Sequence, residues 1–159
     1  MTVLSDREIL DKCRKGWLIS EGFMEDNVTP NGYDLTIELI RHGDSEAKTP
    51  MDIPPMGNFL VGSREFMNLP SNVCAQIFIK SSMARKGIFG SFGFIDAGFR
   101  GNLTLAFCNM SKESVRIEPG KKIAQVIFLT MDFPAVQTYG KRSGNFQDSR
   151  GIQTDPVKR

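Results

Sequence analysis

The sequence predicts an all-β fold of the sandwich or barrel kind, on three observations. Short apolar runs recur beyond the first thirty residues: YDLTIELI, NFLVGS, VCAQIFI, NLTLAFCN, SVRIEPG and IAQVIFL. Turn residues separate them, at Pro30, Pro54-Pro55, Pro70, Gly101 and Pro119-Gly120. DLTIEL and SVRIEPG alternate as half-buried strands do, while IAQVIFL is nearly continuous and is expected to be buried on both faces.

Taken in order, the one convincing helix comes first. In LSDREILDKCRKGWLIS, Ser5 and Glu8 have capping-box spacing, Ile9, Leu10 and Cys13 share a face, and Gly16 supplies the stop. This segment is a brace, not a site, and Trp17 at its end is expected to pack on the body of the domain. Asp34 in NGYDLTIEL follows a Gly-Tyr turn at a strand entry, the usual place of an Asx-type turn residue. His42, beside Gly43 and Asp44, reads as a surface residue. KSSMARK, after VCAQIFI, places Lys80, two hydroxyls and Arg85 at a strand-to-helix transition, a pattern that suits an anion but also an ordinary capped helix start.

GFIDAGFRGNLTLAFCN sets one carboxylate, Asp96, on a Gly-rich bend before an apolar strand. By itself it is a catalyst, a metal ligand or a turn residue. EPGKKIAQVIF is a turn leading into a buried strand, in which Gln125 needs a polar partner. From Gly140 the tail is polar, with Phe146 and Ile152 its only large apolar residues, and reads as a flexible arm. The expected organisation is a single domain over 1–159, with a helical region at 1–18 and the arm at 140–159.

Composition narrows the function. A chain of 159 residues favours one domain. With 20 Lys+Arg against 18 Asp+Glu, the net charge of +2 gives no reason to expect nucleic-acid binding. Basic residues gather instead at Lys80–Lys86, at Arg116–Lys122 and from Lys141 to the end, which suits a small polyanion such as a triphosphate. Cys13, Cys74 and Cys108 form no C-x-x-C pair, so neither a disulfide framework nor a zinc site is expected and they read as small buried hydrophobes. No apolar run approaches the roughly 18 residues that span a bilayer, and the charged start MTVLSDREIL is not a signal peptide. The expected protein is soluble and cytoplasmic, with no membrane partner.

Five segments in order, NGYDLTIEL, KSSMARKG, GFIDAGFRGNLTLAFCN, PGKKIAQVIF and RSGNFQDSRG, resemble the motifs of the family that joins the trimeric dUTP diphosphatases (dUTPases) with the dCTP deaminases. The resemblance covers nearly the whole chain. It implies a β-clip, a distorted β-barrel, assembled as a homotrimer with active sites at the subunit interfaces and the C-terminal arm closing over the nucleotide.

Two reactions share that scaffold. By resemblance, Asp96 would activate the water that attacks the α-phosphate of magnesium-bound dUTP, giving dUMP and pyrophosphate, with Arg85 stabilising charge. The deaminase branch needs a further carboxylate on the strand after Asp96, and Ala106 stands there in LTLAFCN. Nor is a zinc route available, with one histidine and no P-C-x-x-C. The expected activity is therefore dUTP diphosphatase. Its alternatives are a dCTP deaminase, alone or bifunctional with a dUTPase, and a non-catalytic nucleotide-binding regulator.

The resemblance also implies the remaining roles. Asp34 would anchor Mg²⁺ through its waters, with Gln125 assisting and also touching substrate. Lys80, Ser81 and Ser82 would grip the phosphates. A hairpin from about Phe89 to Ile95, including Phe94, would read the base through its backbone. Phe99 would pack under the deoxyribose and exclude a 2′-OH. In the arm Phe146 would stack over the base, with Tyr139 lining the site and Ser143, Gln147 and Arg150 near the phosphates. Lys80 replaces a common arginine, while Phe99, Arg85 and the fifth segment are closer to the deaminase pattern.

Overall fold

Strands dominate the computed structural model, which describes residues 1–157. Lys158 and Arg159, the end of the last basic run and of the expected arm, lie outside the described residues. A short β1 (Thr2–Val3) precedes helix α1 (Asp6–Arg14). The capping box forms: Ser5 N donates to Glu8 Oε2 at 2.9 Å and Glu8 N donates to Ser5 Oγ at 3.5 Å, so free amides at the helix start find partners. Ile9 and Cys13 are buried beneath the helix, and Gly16 (φ 80°) makes the left-handed stop. Trp17 departs from expectation and is 47% exposed. Leu18 takes the buried place instead, because its own left-handed backbone (φ 64°) turns it into the core.

Next come β2 (Leu18–Glu21), a 3-10 turn (Glu25–Asn27), β3 (Val28–Thr29), β4 (Gly32–His42), β5 (Ser45–Ala47) and β6 (Met51–Ile53). The long β7 (Asn58–Asn68) and β8 (Val73–Ile79) lead to the single-turn α2 (Ser81–Ala84). β9 (Ile88–Gly90), β10 (Phe94–Ile95), β11 (Arg100–Asn109), β12 (Val115–Ile117), β13 (Lys122–Thr130) and α3 (Tyr139–Arg142) complete the order. The main sheet runs β10-β8-β13-β4-β7-β11-β9, and β6 pairs with β12 apart from it. Only residues 91–93 join β9 to β10, the two ends of that path. So short a link spans at most about 14 Å, which forces the sheet to curl back on itself. The fold is all-β, as the sequence predicts, and its concave side encloses Tyr33, Leu35, Phe59, Val126 and Phe128.

Three local expectations change. The alternating DLTIEL is buried on both faces from Asp34 to Ile37, because Asp34 and Thr36 on its polar face are covered and bonded to Lys80 and Glu65. IAQVIFL is not buried on both faces: Gln125, Ile127 and Leu129 stay partly exposed, since the described residues cover that side incompletely. The C-terminal arm is docked, with Ser149 and Ile152 buried and Ser149 bridged in parallel to Gly101. Polar arm residues find backbone partners on β11, which is why composition alone misread the segment. Cys13 and Cys74 are buried and Cys108 half-buried, all as free thiols. No helix among the described residues is long and apolar enough to cross a membrane.

Candidate active site

Asp96 owes its position to β10, whose Phe94 and Ile95 pair with Gln76 and Ala75 of β8. The chain then bends through Asp96–Gly98, closed by Phe99 N donating to Asp96 O at 3.1 Å. The carboxylate is exposed and accepts no hydrogen bond from the described residues. It lies on the wall of a cavity of about 340 Å³, with Phe94, Phe99, Thr104, Tyr139 and Phe146 around it. A second hollow of about 510 Å³ shares Asp96, Phe94 and Tyr139 and adds Arg142 and Ser143. Phe99 meets Tyr139 edge to face at 5.4 Å, and the Tyr139 hydroxyl accepts from Phe146 N at 3.0 Å. An aromatic recess beside a free carboxylate accepts a flat heterocycle and can exchange protons with it.

The arm residues divide. Ile95, Phe146 and Tyr139 line the recess and Ser143 its neighbour. Gln147 is engaged within the chain: its amide donates to Gly98 O at 3.1 Å and accepts from Arg100 N at 3.2 Å. Arg150 is likewise engaged, forked onto Glu21 at 2.7 and 2.8 Å and stacked 3.9 Å over the Phe66 ring. Both act as anchors of the docked arm in this chain.

The other expected residues form a separate group. Ser81, Ser82 and Arg85 are exposed on and just after α2. Lys80 Nζ lies 2.5 Å from Asp34 Oδ2, with Lys122 Nζ at 3.9 Å from the same oxygen. Asp34 is buried in β4 and is not a turn residue, and its Oδ1 has no hydrogen-bond partner among the described residues. Gln125 stands opposite Asp34 in register and donates to Thr29 Oγ1 at 2.8 Å. This donor set does not fit a resident magnesium ion. Two ammonium groups flank the one carboxylate, and among the described residues no three His, Cys, Asp or Glu side chains cluster as metal ligands. The orphaned Oδ1 fits a buried water instead.

Strand β8 separates the two groups. Asp96 flanks its start, near Cys74, and Ser81 follows its far end. At the strand rise of about 3.3 Å per residue, they lie roughly 20 Å apart. The chain therefore presents two separate groups, an aromatic one with Asp96 and a basic one around α2.

Residues 88–95 also differ from a simple hairpin. β9 pairs with β11 (Gly90 opposite Phe107), whereas β10 pairs with β8. Phe89, Gly90 and Ser91 thus border another cavity, of about 500 Å³, together with Arg41 and Ala106. Ala106 is exposed there on β11.

Two important residues escaped the sequence reading. Glu65 is wholly buried in β7, where it accepts from Thr36 N at 3.0 and 3.2 Å and from the Tyr33 hydroxyl at 3.2 Å. Burial pushes its carboxyl up from the ordinary range and, with Glu65 nearby, pushes the Tyr33 phenol up as well. Its place in a strand, with Phe66 and Met67 directly after it, was the only available signal. Asn102 joins β11, β7 and the arm, and nothing in its neighbourhood announces that.

Comparison with known proteins places the chain. A family described as dCTP deaminase-like matches residues 38–131. A Thermococcus kodakarensis protein named dCTP deaminase is 38% identical over 153 residues, covering 93% of this chain and 96% of the relative. Among solved structures, the 2′-deoxycytidine 5′-triphosphate deaminase of Agrobacterium tumefaciens superposes with a TM-score of 0.70 at 20% identity, over 79% of this chain and 48% of that one. The chain thus spans about half of that protein. The dUTPase of EIAV gives a TM-score of 0.53 at 26% identity, over 76% and 88% of the two chains. These findings correct the expected activity. The expectation of a dUTP diphosphatase rested on Ala106, but the full-length likeness is to a protein named dCTP deaminase. One missing side chain outweighed the pattern of the whole chain in that reading.

Proposed function

The chain belongs to the dCTP deaminase-like family, and from that premise we propose that it deaminates dCTP. Water adds to C4 of the cytosine, the exocyclic amine leaves as ammonia, and dUTP is the product. The observation that carries this reading is the 38% identity to a relative named dCTP deaminase across 93% of the chain.

The two groups support the reading with named residues. The base enters the recess of Phe94, Phe99, Tyr139 and Phe146, where the flat rings bury its faces. Phe99, buried under that recess, is the residue that would pack under the deoxyribose and exclude a 2′-OH. Asp96 is the carboxylate at hand to take a proton from the attacking water and return it to the leaving amine. Ala106 cannot share that work, because a methyl group neither accepts nor donates a proton. Ser81, Ser82 and Arg85 serve the phosphates. Lying roughly 20 Å from Asp96 along β8, they complete the site of a neighbouring copy, as in a homotrimer. Magnesium arrives on the triphosphate as part of the substrate.

Product analysis tests the proposal. Purified protein incubated with dCTP is expected to release ammonia and form a deoxyuridine nucleotide, and Asp96→Asn to lower that rate by ~10²–10⁴-fold. An untouched amino group on dCTP, with dUTP split to dUMP and pyrophosphate, would overturn it.

A further inference from the structure

The recess beside Asp96 holds more polar groups than the proposed reaction uses. Two of them are spent. The Asn102 amide donates to Ser63 O and Glu65 O, and Ser149 Oγ donates to Asn102 O. Thr104 and Gln153 also line the recess, and each keeps one polar atom in hand. Both are half-buried, one on β11 and the other in the docked arm.

The fold holds the pair together. Gln153 N donates to Thr104 Oγ1 at 2.8 Å. Ile152, just before it, is buried, and its carbonyl accepts from Arg41 Nη2 at 3.3 Å. A hydroxyl has one proton and two lone pairs. The bond from Gln153 N takes a lone pair, so the Thr104 proton is left to donate, with no acceptor among the described residues. The Gln153 side chain is committed the other way round. Its Nε2 donates to Asp155 O at 2.7 Å, and only the NH₂ end of an amide can meet a carbonyl. Oε1 is therefore its free atom, and it accepts.

A donor beside an acceptor is a pattern that the two pyrimidines answer differently. Cytosine offers an unprotonated N3, which accepts, next to the N4 amine, which donates. Uracil reverses both, with N3–H and O4. The Thr104 hydroxyl can rotate to suit either base. Gln153 cannot, because turning its amide would set its oxygen against Asp155 O. A site built to pair with a substrate N–H rejects an analogue that lacks it, since buried polar groups are then left unmatched.

We infer that Thr104 and Gln153 determine the base specificity of the recess, Thr104 donating to N3 and Gln153 accepting from the N4 amine of cytosine. The inference rests on the proposed function for placing the base in this recess. It also gives the product a reason to leave, because deamination replaces the amine by O4, an acceptor facing an acceptor.

Calorimetric titration in the Asp96→Asn background, which slows turnover, tests it by comparing dCTP with dUTP. The parent is expected to bind dCTP more tightly by roughly 10–100-fold. Gln153→Leu is expected to abolish most of that preference and Thr104→Val to reduce it. Thr104→Ser, which keeps the hydroxyl, is expected to retain it. The ratio is the telling quantity, because an arm that had merely loosened would weaken both nucleotides alike. An unchanged ratio in Gln153→Leu would overturn the inference, as would equal affinity of the parent for the two nucleotides. Ammonia release is measured separately with Asp96 in place. A preference for dCTP that depends on Gln153, without ammonia release, would sink the deaminase reading alone.

Discussion

Asn102 and Ser149 bond to each other twice: Asn102 N donates to Ser149 O at 2.9 Å, and Ser149 Oγ donates to Asn102 O at 3.1 Å. The Asn102 amide also donates to Glu65 O at 3.0 Å and Ser63 O at 3.1 Å, and its Oδ1 accepts from Gly151 N at 3.3 Å. One residue, through its backbone to Ser149 and its side chain to Gly151 and β7, thereby ties the arm to two strands at the β11 bulge. Gly101 permits the contact, since a Cβ there would come within 2.6 Å of Ser149 Oγ.

Replacing Asn102 by alanine removes the side-chain bonds to the β7 carbonyls and to Gly151 N, keeps the two backbone bonds with Ser149, and so loosens the arm at Gly151. The expected loss is about 2–3 kcal/mol of stability, measured by urea unfolding. Limited proteolysis is expected to cut the variant within residues 143–157 before the wild type. An arm equally resistant in both proteins would show that Asn102 is not its anchor.

How much of this was legible beforehand depends on the range of the interaction. The helix cap at Ser5 and Glu8 and the strand punctuation are local, and both were readable. Grouping Phe94, Phe99 and Tyr139 with Asp96 followed from family resemblance. Burial of Asp34 beside Lys80 spans 46 positions in sequence, and no spacing rule reaches that far. Docking of the arm was hidden for another reason: its contacts are mostly to backbone atoms, which carry no residue signature. Glu65 was readable only as an oddity, since its partners Tyr33 and Thr36 belong to a different strand.

Lys80→Met removes the nearer counter-charge of Asp34. The carboxylate is buried and would keep only Lys122 at 3.9 Å. Breaking a buried pair in this way is expected to cost roughly 2–3 kcal/mol, below the usual range for a fully buried pair because Lys80 is partly exposed. The double variant Asp34→Asn/Lys80→Met is expected to recover part of it. Thermal unfolding of the set checks this, and equal losses in single and double variants would refute the coupling.

Glu65 sets a pH dependence of opposite sign to that of the surface carboxylates. Its folded pKa is raised by burial, so the folded state binds its proton more tightly than the unfolded state does. Stability from this group is full below the unfolded value near 4.5 and is lost as pH rises through the folded value. Glu38, lowered first by its hydrogen bond with Lys48, works the other way and loses its contribution as pH falls. Glu65→Gln is expected to flatten the decline on the alkaline side of 4.5, seen by comparing urea midpoints from acidic to neutral pH. Parallel curves for the two proteins would mean that Glu65 keeps an ordinary pKa.

Ala106 offers the sharpest chemical test. It is exposed on β11, opposite Leu60, and faces a cavity of about 500 Å³ shared with Ser91 and Arg41. A longer side chain fits there without disturbing the core. Position 106 lies two residues beyond Thr104 on the same face of β11, and Thr104 lines the Asp96 recess. If Asp96 alone handles both proton transfers of deamination, a long carboxylate reaching back from 106 lets the two be divided. Ala106→Glu is then expected to raise ammonia release from dCTP by about 10–100-fold, with little change in melting temperature. The double variant Asp96→Asn/Ala106→Glu separates two arrangements of the site. Activity that survives in it would assign proton transfer to position 106 and a supporting role to Asp96, whereas its loss would keep Asp96 as the indispensable base.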